Sequence, residues 1–451
     1  MTVLKTGVWA RLTLGPVAFR RVRHTCSRRW LVACAAVMAM TVVGPTSTAT
    51  ATGATAAGDP TVISDWNARA MTTFGADPTK VPQETPLYVG FVQAAVYNAV
   101  DGIDRRYEPY RFHARARHST SAQAAAVAAA HKVLVTYSPY AQATLDAAYD
   151  TSLAQIPDSK AKTRGVAFGT LAADHLIAMR ANDRRNAPVL FTQPAAPGVW
   201  RPTPPAFAPM AVPWMGGVTP LLIRSGAQFG EPGPPPALTS SRYTRDFAEV
   251  KALGLAGSTA RTPEQTSTAL FFSGNAAAQF NAALRDQLTV RHLDIVDAAR
   301  MFAAVDMSEA DAIIAVWHAK YLYGFWRPIS AINLADTDGN PATTADPDWT
   351  PLLTTPPYPD YVSGYSGLTG AFTRSLADAL NTRDLNLTLI STAVPGAVRT
   401  YDSGKTVRND VVNARVWLGI HFRFADTGGV DMGQQVARWA LDHHFGPRKD
   451  H

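Results

Sequence analysis

Apolar residues at every third or fourth position, interrupted by one long proline-dense tract, point this chain toward helical bundles strapped by loops. Val89, Val92, Val96, Val100 and Ile103 show the rhythm most clearly, as one buried helix face requires. Ala-rich stretches over 120–135, 141–154 and 161–180 follow the same rule, and Pro139 and Pro157 mark helix boundaries. Further helices are expected over 240–253, 263–287, 294–326, 364–380, 408–419 and 428–445. Strand signals are few and short. Residues 188–236 contain thirteen prolines together with Trp200 and Trp214. An irregular tract of that length is expected to be a functional lid or a packing strap. A second irregular stretch covers 333–361. The reading is an all-α fold, a helical bundle with long Pro-rich loops, in one domain over 57–451.

Residues 1–56 read as an export signal. They contain Lys5, Arg11, Arg20, Arg21, Arg23, Arg28 and Arg29 and no acidic residue. An apolar run from Leu31 to Val43 follows, then the Ala-x-Ala candidates Ala49-Thr50-Ala51 and Ala54-Thr55-Ala56. The run is shorter than a membrane span of ~20 residues, so no stable membrane anchor is expected. Ser27-Arg28-Arg29-Trp30-Leu31 resembles a twin-arginine signal, so the protein is expected to be secreted, by that route or by the general one. Cys26 and Cys34, the only cysteines, both lie in this segment. Without it the chain has neither a thiol nor a disulfide. The net charge of +7 also comes from this segment, because the remainder has 35 Lys+Arg against 35 Asp+Glu. The basic pI is therefore no sign of nucleic-acid binding, and no aromatic–basic stripe suggests it. Neither a His-Glu-x-x-His zinc motif nor a Gly-x-Gly-x-x-Gly nucleotide turn occurs.

Three stretches carry chemistry. Ser308-Glu309-Ala310-Asp311 has the pattern of a capping box at a helix start. Beyond it, Ile313, Trp317, Lys320 and Gly324 share one stripe. Arg327 lies two turns past Lys320, so two long cations could converge on one anion from one helix face. Pro328 disfavours helix at Arg327, which could then swing inward. Next, Ser363-Gly364-Tyr365-Ser366-Gly367 precedes a helical run. Ser363 is a good N-cap, and free N–H groups at Gly364 would favour an anion. Last come Arg415 and His421. Six residues on a helix place them about 120° apart, so they share no face unless Gly419 bends the chain. Asp426 could then orient the imidazole. Taken singly, each stretch also has a plain structural reading: a snorkelling lysine, a helix cap, a core histidine.

Their order along the chain resembles the signature of the vanadium-dependent haloperoxidases and the type-2 phosphatidic acid phosphatases: Lys-x6-Arg-Pro, then Ser-Gly-x-Ser, then Arg-x5-His. Asp65-Trp66-Asn67, Ala94-Ala95-Val96-Tyr97-Asn98-Ala99-Val100 and Gly198-Val199-Trp200-Arg201-Pro202 resemble the bacterial haloperoxidase-like branch. The resemblance implies a haloperoxidase/acid-phosphatase-like fold whose part over 294–445 carries a pocket for vanadate or phosphate. It implies that Lys320, Arg327 and Arg415 neutralise the oxyanion and that Ser363 and Gly364 hydrogen-bond to it. His421 would ligate vanadium at the apex, or attack phosphorus. Trp317 and Tyr358 match aromatic positions on the halide side. Partners so implied are hydrogen peroxide and a halide, or a phosphorylated small molecule. Two departures stand out. Tyr365 occupies the place of an acid/base histidine, and a phenol with pKa near ~10 is a poor proton shuttle. The orienting Asp usually follows the axial His after three residues, but here that position is Ala425 and Asp426 comes one later.

Overall fold

The computed structural model describes residues 58–229 and 233–448, so the expected export signal lies outside the described residues. Helices α1 (Thr61–Ala76), α2 (Thr85–Asp104), α3 (Ala122–Tyr137), α4 (Gln142–Ala154) and α5 (Lys160–Met179) form the first half. After the Pro-rich tract come α6 (Ser241–Leu253), α7 (Pro263–Phe271), α8 (Ala276–Arg291) and α9 (Ile295–Tyr323). They are followed by α10 (Pro328–Asn333), α11 (Gly364–Ala379), α12 (Gly404–Trp417) and α13 (Arg423–His443). One antiparallel hairpin, β1 (Asp384–Ile390) with β2 (Val398–Ser403), sits between α11 and α12.

Helix α9 is the axle. It packs along α2 on one side and along α11 and α13 on the other. Residues on all its faces are buried, including Asp306, Glu309 and Asp311. Its start agrees with the helix expected over 294–326, but a helix buried all round has no polar face to rule out the second start read at Ser308. The true N-cap is Asp294, whose carboxylate accepts from the backbone N–H of Val296 (3.0 Å) and Asp297 (2.9 Å). Ser308 lies in mid-helix and donates back to the Ala304 carbonyl at 2.6 Å, so the expected capping box there is wrong. The single helix expected over 263–287 is two, because Asn275 starts α8 afresh by accepting from Ala278 N–H at 3.1 Å.

Glycines set the closest helix crossings. A Cβ on Gly433 of α13 would lie 2.0 Å from the Gly367 carbonyl oxygen of α11, and one on Gly429 would lie 2.5 Å from that of Ser363. Only a residue without a side chain permits that approach. It brings the start of α11 against the start of α13.

The Pro-rich tract is a strap over α9. Leu221, Leu222 and Ile223 donate backbone N–H bonds of 2.7, 2.7 and 2.8 Å to the buried Asp311 carboxylate. Trp200 N–H donates to Gly324 O at 2.6 Å, and Trp326 N–H donates to Gly198 O at 3.0 Å. Ala211 accepts from Trp317 Nε1 (3.2 Å) and donates to Pro357 O (2.8 Å). The strap thus fixes residues on both sides of Lys320–Arg327. Among the described residues no helix is long and apolar enough to cross a membrane.

Candidate active site

The strap, the end of α9 and the starts of α11 and α13 gather the charged side chains. Helix α9 stops at Gly324, which adopts φ 52° as its C-cap, a left-handed conformation that glycine takes readily. The chain then runs extended, and Arg327 has φ −82° and ψ 157° as the N-cap of α10. Lys320 and Arg327 therefore do not share a helix face. They converge because the chain reverses between them. Both are 0% exposed. Gly419, with φ 78°, ends the α12 region in the same way, and His421 turns inward from the following loop.

Lys320 Nζ donates to the carbonyls of Pro359 (2.6 Å) and Asp360 (3.0 Å). Arg327 Nε donates to Tyr358 O and its Nη1 to Ile420 O, each at 2.7 Å. Nη1 also stands 3.1 Å from Nε2 of His421. Arg415 Nη1 donates to Phe272 O at 3.0 Å. These bonds leave Arg327 Nη2 and Arg415 Nε buried without a hydrogen-bond partner among the described residues. A buried guanidinium N–H left unpaired is costly unless a ligand takes it.

Asp360, absent from the sequence-based site, is the carboxylate that meets the imidazole. Its Oδ1 lies 2.7 Å from His421 Nδ1. Asp426 instead accepts from Ser366 Oγ at 2.8 Å at the start of α13, so the orienting role foreseen for Asp426 falls to Asp360. Asp360 was missed because it lies in an aperiodic stretch, although it is the acidic residue nearest Ser363 in sequence. Ser363 is the N-cap of α11, where its Oγ accepts from Ser366 N–H.

Burial governs the charges here. It pushes the Lys320 ammonium well below the usual lysine range, and Arg327 adds to the effect. It holds the His421 imidazole well below its ordinary value, with Arg327, Lys320 and Arg415 pushing the same way. It raises the Asp360 carboxyl to about 8 against the pull of Arg327 and Lys320, and Asp426 to about 7. Burial and the three cations thus favour the neutral form of His421.

A cavity of about 160 Å³ opens onto this cluster. Gly364, Tyr365, Arg415 and His421 form its polar side, and Ile313, Trp317, Tyr358 and Leu368 its apolar side. Trp317 and Tyr358 pack with ring centroids 5.0 Å apart. Lys320 Nζ lies 5.0 Å from the Tyr358 ring centroid and Arg327 Cζ 4.8 Å from it, so the aromatic wall also faces the cations. Lys320, Arg327, Ser363 and Asp426 are not part of the lining and are fully buried. Tyr365 lines the cavity, but its hydroxyl is turned to Gln279 of α8, at 2.8 Å.

Comparison with known proteins bears on the second bundle and on the fold. Residues 300–448 match the VCPO second helical-bundle domain. Vanadium chloroperoxidase of Curvularia inaequalis is 28% identical over 260 residues. That match covers 42% of this chain, and the chain spans 42% of the length of that relative. A bacterial vanadium-dependent iodoperoxidase structure superposes with a TM-score of 0.75 at 22% identity, covering 86% of this chain and 98% of that one. A holo-type bacterial vanadium-dependent chloroperoxidase gives a TM-score of 0.68 at 17% identity, covering 86% and 97%. At these identities the two structures establish the fold. In its second bundle and in its fold the chain is thus similar to the vanadium haloperoxidases.

Proposed function

We propose that the protein is a vanadate-dependent haloperoxidase that oxidises halide with hydrogen peroxide. The observation that carries this reading is the pair of unpartnered buried donors, Arg327 Nη2 and Arg415 Nε, beside the buried His421. Buried donors without partners suit a tetrahedral oxyanion, so the residues present fit vanadate or phosphate. Lys320, Arg327 and Arg415 would balance its charge, and Ser363 with the Gly364 N–H would hold it at the start of α11. For Nε2 of His421 to be the ligand, its proton must rest on Nδ1, and Asp360 Oδ1 is placed to accept it. Ile313, Trp317 and Tyr358 restrict water on the opposite side. Vanadate, when bound, supplies the Lewis-acid centre that activates peroxide toward halide.

A phosphomonoester hydrolase would use the same pocket with His421 as nucleophile. Leaving-group protonation is harder to supply, because the Tyr365 hydroxyl is committed to Gln279. The two readings separate in one assay of the purified protein with and without vanadate. Peroxide-dependent bromide or iodide oxidation that requires vanadate supports the haloperoxidase. Phosphatase activity that vanadate inhibits supports the hydrolase and sinks the proposal. Binding without either turnover marks an oxyanion-binding homologue. Tyr365→His should raise halide oxidation, since a positioned acid/base contributes about 10²–10⁴ in rate. The reading includes export of the protein through its N-terminal segment.

A further inference from the structure

Tyr365 replaces an expected acid/base group, yet every contact it makes points to another task. The Arg415 guanidinium carbon lies 4.8 Å from the Tyr365 ring centroid. Phe272 and Phe280 meet the ring edge-on, at centroid distances of 6.3 and 6.0 Å. The hydroxyl proton has a fixed direction. Gln279 Nε2 donates to Ile390 O of β1 at 3.1 Å, so Gln279 Oε1 is the atom facing Tyr365. An amide oxygen can only accept, so the phenol must donate to it. That proton therefore points to α8, away from the anion. Burial pushes the phenol still further up, which keeps the proton in place.

Arg415 needs such support. Among the described residues its guanidinium has one hydrogen bond, to Phe272 O, and its Nε is unpartnered. The Tyr365 ring supplies an electron-rich face that holds a cation without using any of its N–H donors. The carbonyl of Phe272 and the ring of that same residue thus bear on Arg415 and on Tyr365 respectively.

We infer that Tyr365 is a positioning residue that clamps Arg415 for the oxyanion by its ring, with Gln279 and Ile390 fixing the ring by its hydroxyl. This rests on the oxyanion reading of the pocket. The clamp makes position 365 a source of anion affinity and leaves the proton-donor position vacant. Tyr365→His then exchanges one role for the other.

The test is vanadate binding by calorimetry to the wild-type chain and to Tyr365→Phe, Tyr365→Leu and Gln279→Leu, with a crystal structure of Tyr365→Leu. Phenylalanine keeps the ring face, so affinity should change little. Leucine removes it, and affinity should fall about 2- to 30-fold, the range of a cation–π contact. Gln279→Leu removes the same hydrogen bond as Tyr365→Phe and leaves the ring face, so it should likewise change affinity little. In the crystal structure the Arg415 guanidinium should leave its place beside Phe272 O. Two results overturn the inference: phenylalanine as damaging as leucine, which would put the hydroxyl on the anion, or an Arg415 unmoved in the leucine variant. If the wild type binds neither vanadate nor phosphate, the pocket reading fails. The position of Arg415 in the crystal then still decides the clamp.

Discussion

Two buried clusters of like composition have opposite designs. Arg180, Asp183 and Arg185 lie between the end of α5 and the strap. Arg180 Nε donates to Asp183 Oδ2 at 2.9 Å, its Nη2 to Thr219 O at 2.5 Å, and its Nη1 reaches Pro220 O at 3.4 Å. Arg185 Nε donates to the other carboxylate oxygen at 2.8 Å, and its guanidinium packs on Phe91 and Tyr137. No side-chain N or O of these three residues is buried without a partner. The pocket cluster contains Lys320, Arg327, Arg415, Asp360 and Asp426, and four of those five retain an unpartnered buried atom: Arg327 Nη2, Arg415 Nε, Asp360 Oδ2 and Asp426 Oδ2. The first cluster is complete and serves the fold. The second is incomplete, and a small anion of matching geometry would pair its two open donors, Arg327 Nη2 and Arg415 Nε.

The largest effect expected from this contrast is on stability. Asp183→Ala strands the buried Arg180 and the partly buried Arg185 and should lower stability by ~3–5 kcal/mol, with the pocket's affinity for anions unchanged. Arg327→Met removes a charge that lacks full compensation. Without anion the variant should unfold no earlier than wild type, but it should lose the rise in Tm that phosphate or vanadate produces. Thermal unfolding with and without phosphate checks both. If Arg327→Met is as unstable as Asp183→Ala, both clusters are structural and the contrast fails.

Asp360→Asn comes next. It keeps the shape beside His421 but weakens control of the imidazole tautomer. A partner of this kind is worth about 10–100-fold in affinity or activity, and vanadate titration would show the loss.

The pH dependence then sharpens the comparison. Burial raises the Asp426 carboxyl from 3.8 to about 7. The folded state thus holds a proton that the unfolded state releases. Its contribution to stability is complete below pH ~4 and is lost as pH rises to about 7, by at most ~1.4 kcal/mol per pH unit. Asp426→Asn should flatten that part of the curve in anion-free protein, seen as the difference between variant and wild-type denaturation midpoints from pH 4 to 8. A difference that does not vary with pH would show that Asp426 is ionised throughout. The smallest effect belongs to a surface pair. Arg374 and Asp378, at 2.6 Å but 37% and 28% exposed, should contribute ~0.5 kcal/mol or less to stability. Arg374→Ala therefore measures how much of the first contrast is due to burial.

Much of this was legible in the sequence, for reasons that also explain the misses. The bounds of α3, α4, α5 and α6 lie within two residues of those expected. Helix α9 also starts within one residue of its expected bound, and only the capping box read at Ser308 was false. Residues 384–403 gave no strand signal strong enough to foresee β1 and β2. Lys320, Arg327, Ser363, Gly364, Arg415 and His421 were singled out by the resemblance of their order to a family signature, and in the structure they lie around one cluster. Asp360 and Gln279 were not. Each acts through a contact between segments far apart in sequence, 61 residues for Asp360–His421 and 86 for Tyr365–Gln279. Spacing along one element cannot reveal such partners. The strap was expected as a lid or a strap, and its backbone bonds to Asp311, Gly324 and Pro357 show it to be the latter.

The most direct test of the incomplete-cluster account is a calorimetric titration of vanadate into wild type, Arg327→Met and Arg415→Ala, with phosphate as competitor. The account predicts one vanadate per chain, displaced by phosphate and weakened in both variants. An absence of binding heat in the wild type, or undiminished binding in both variants, would contradict it.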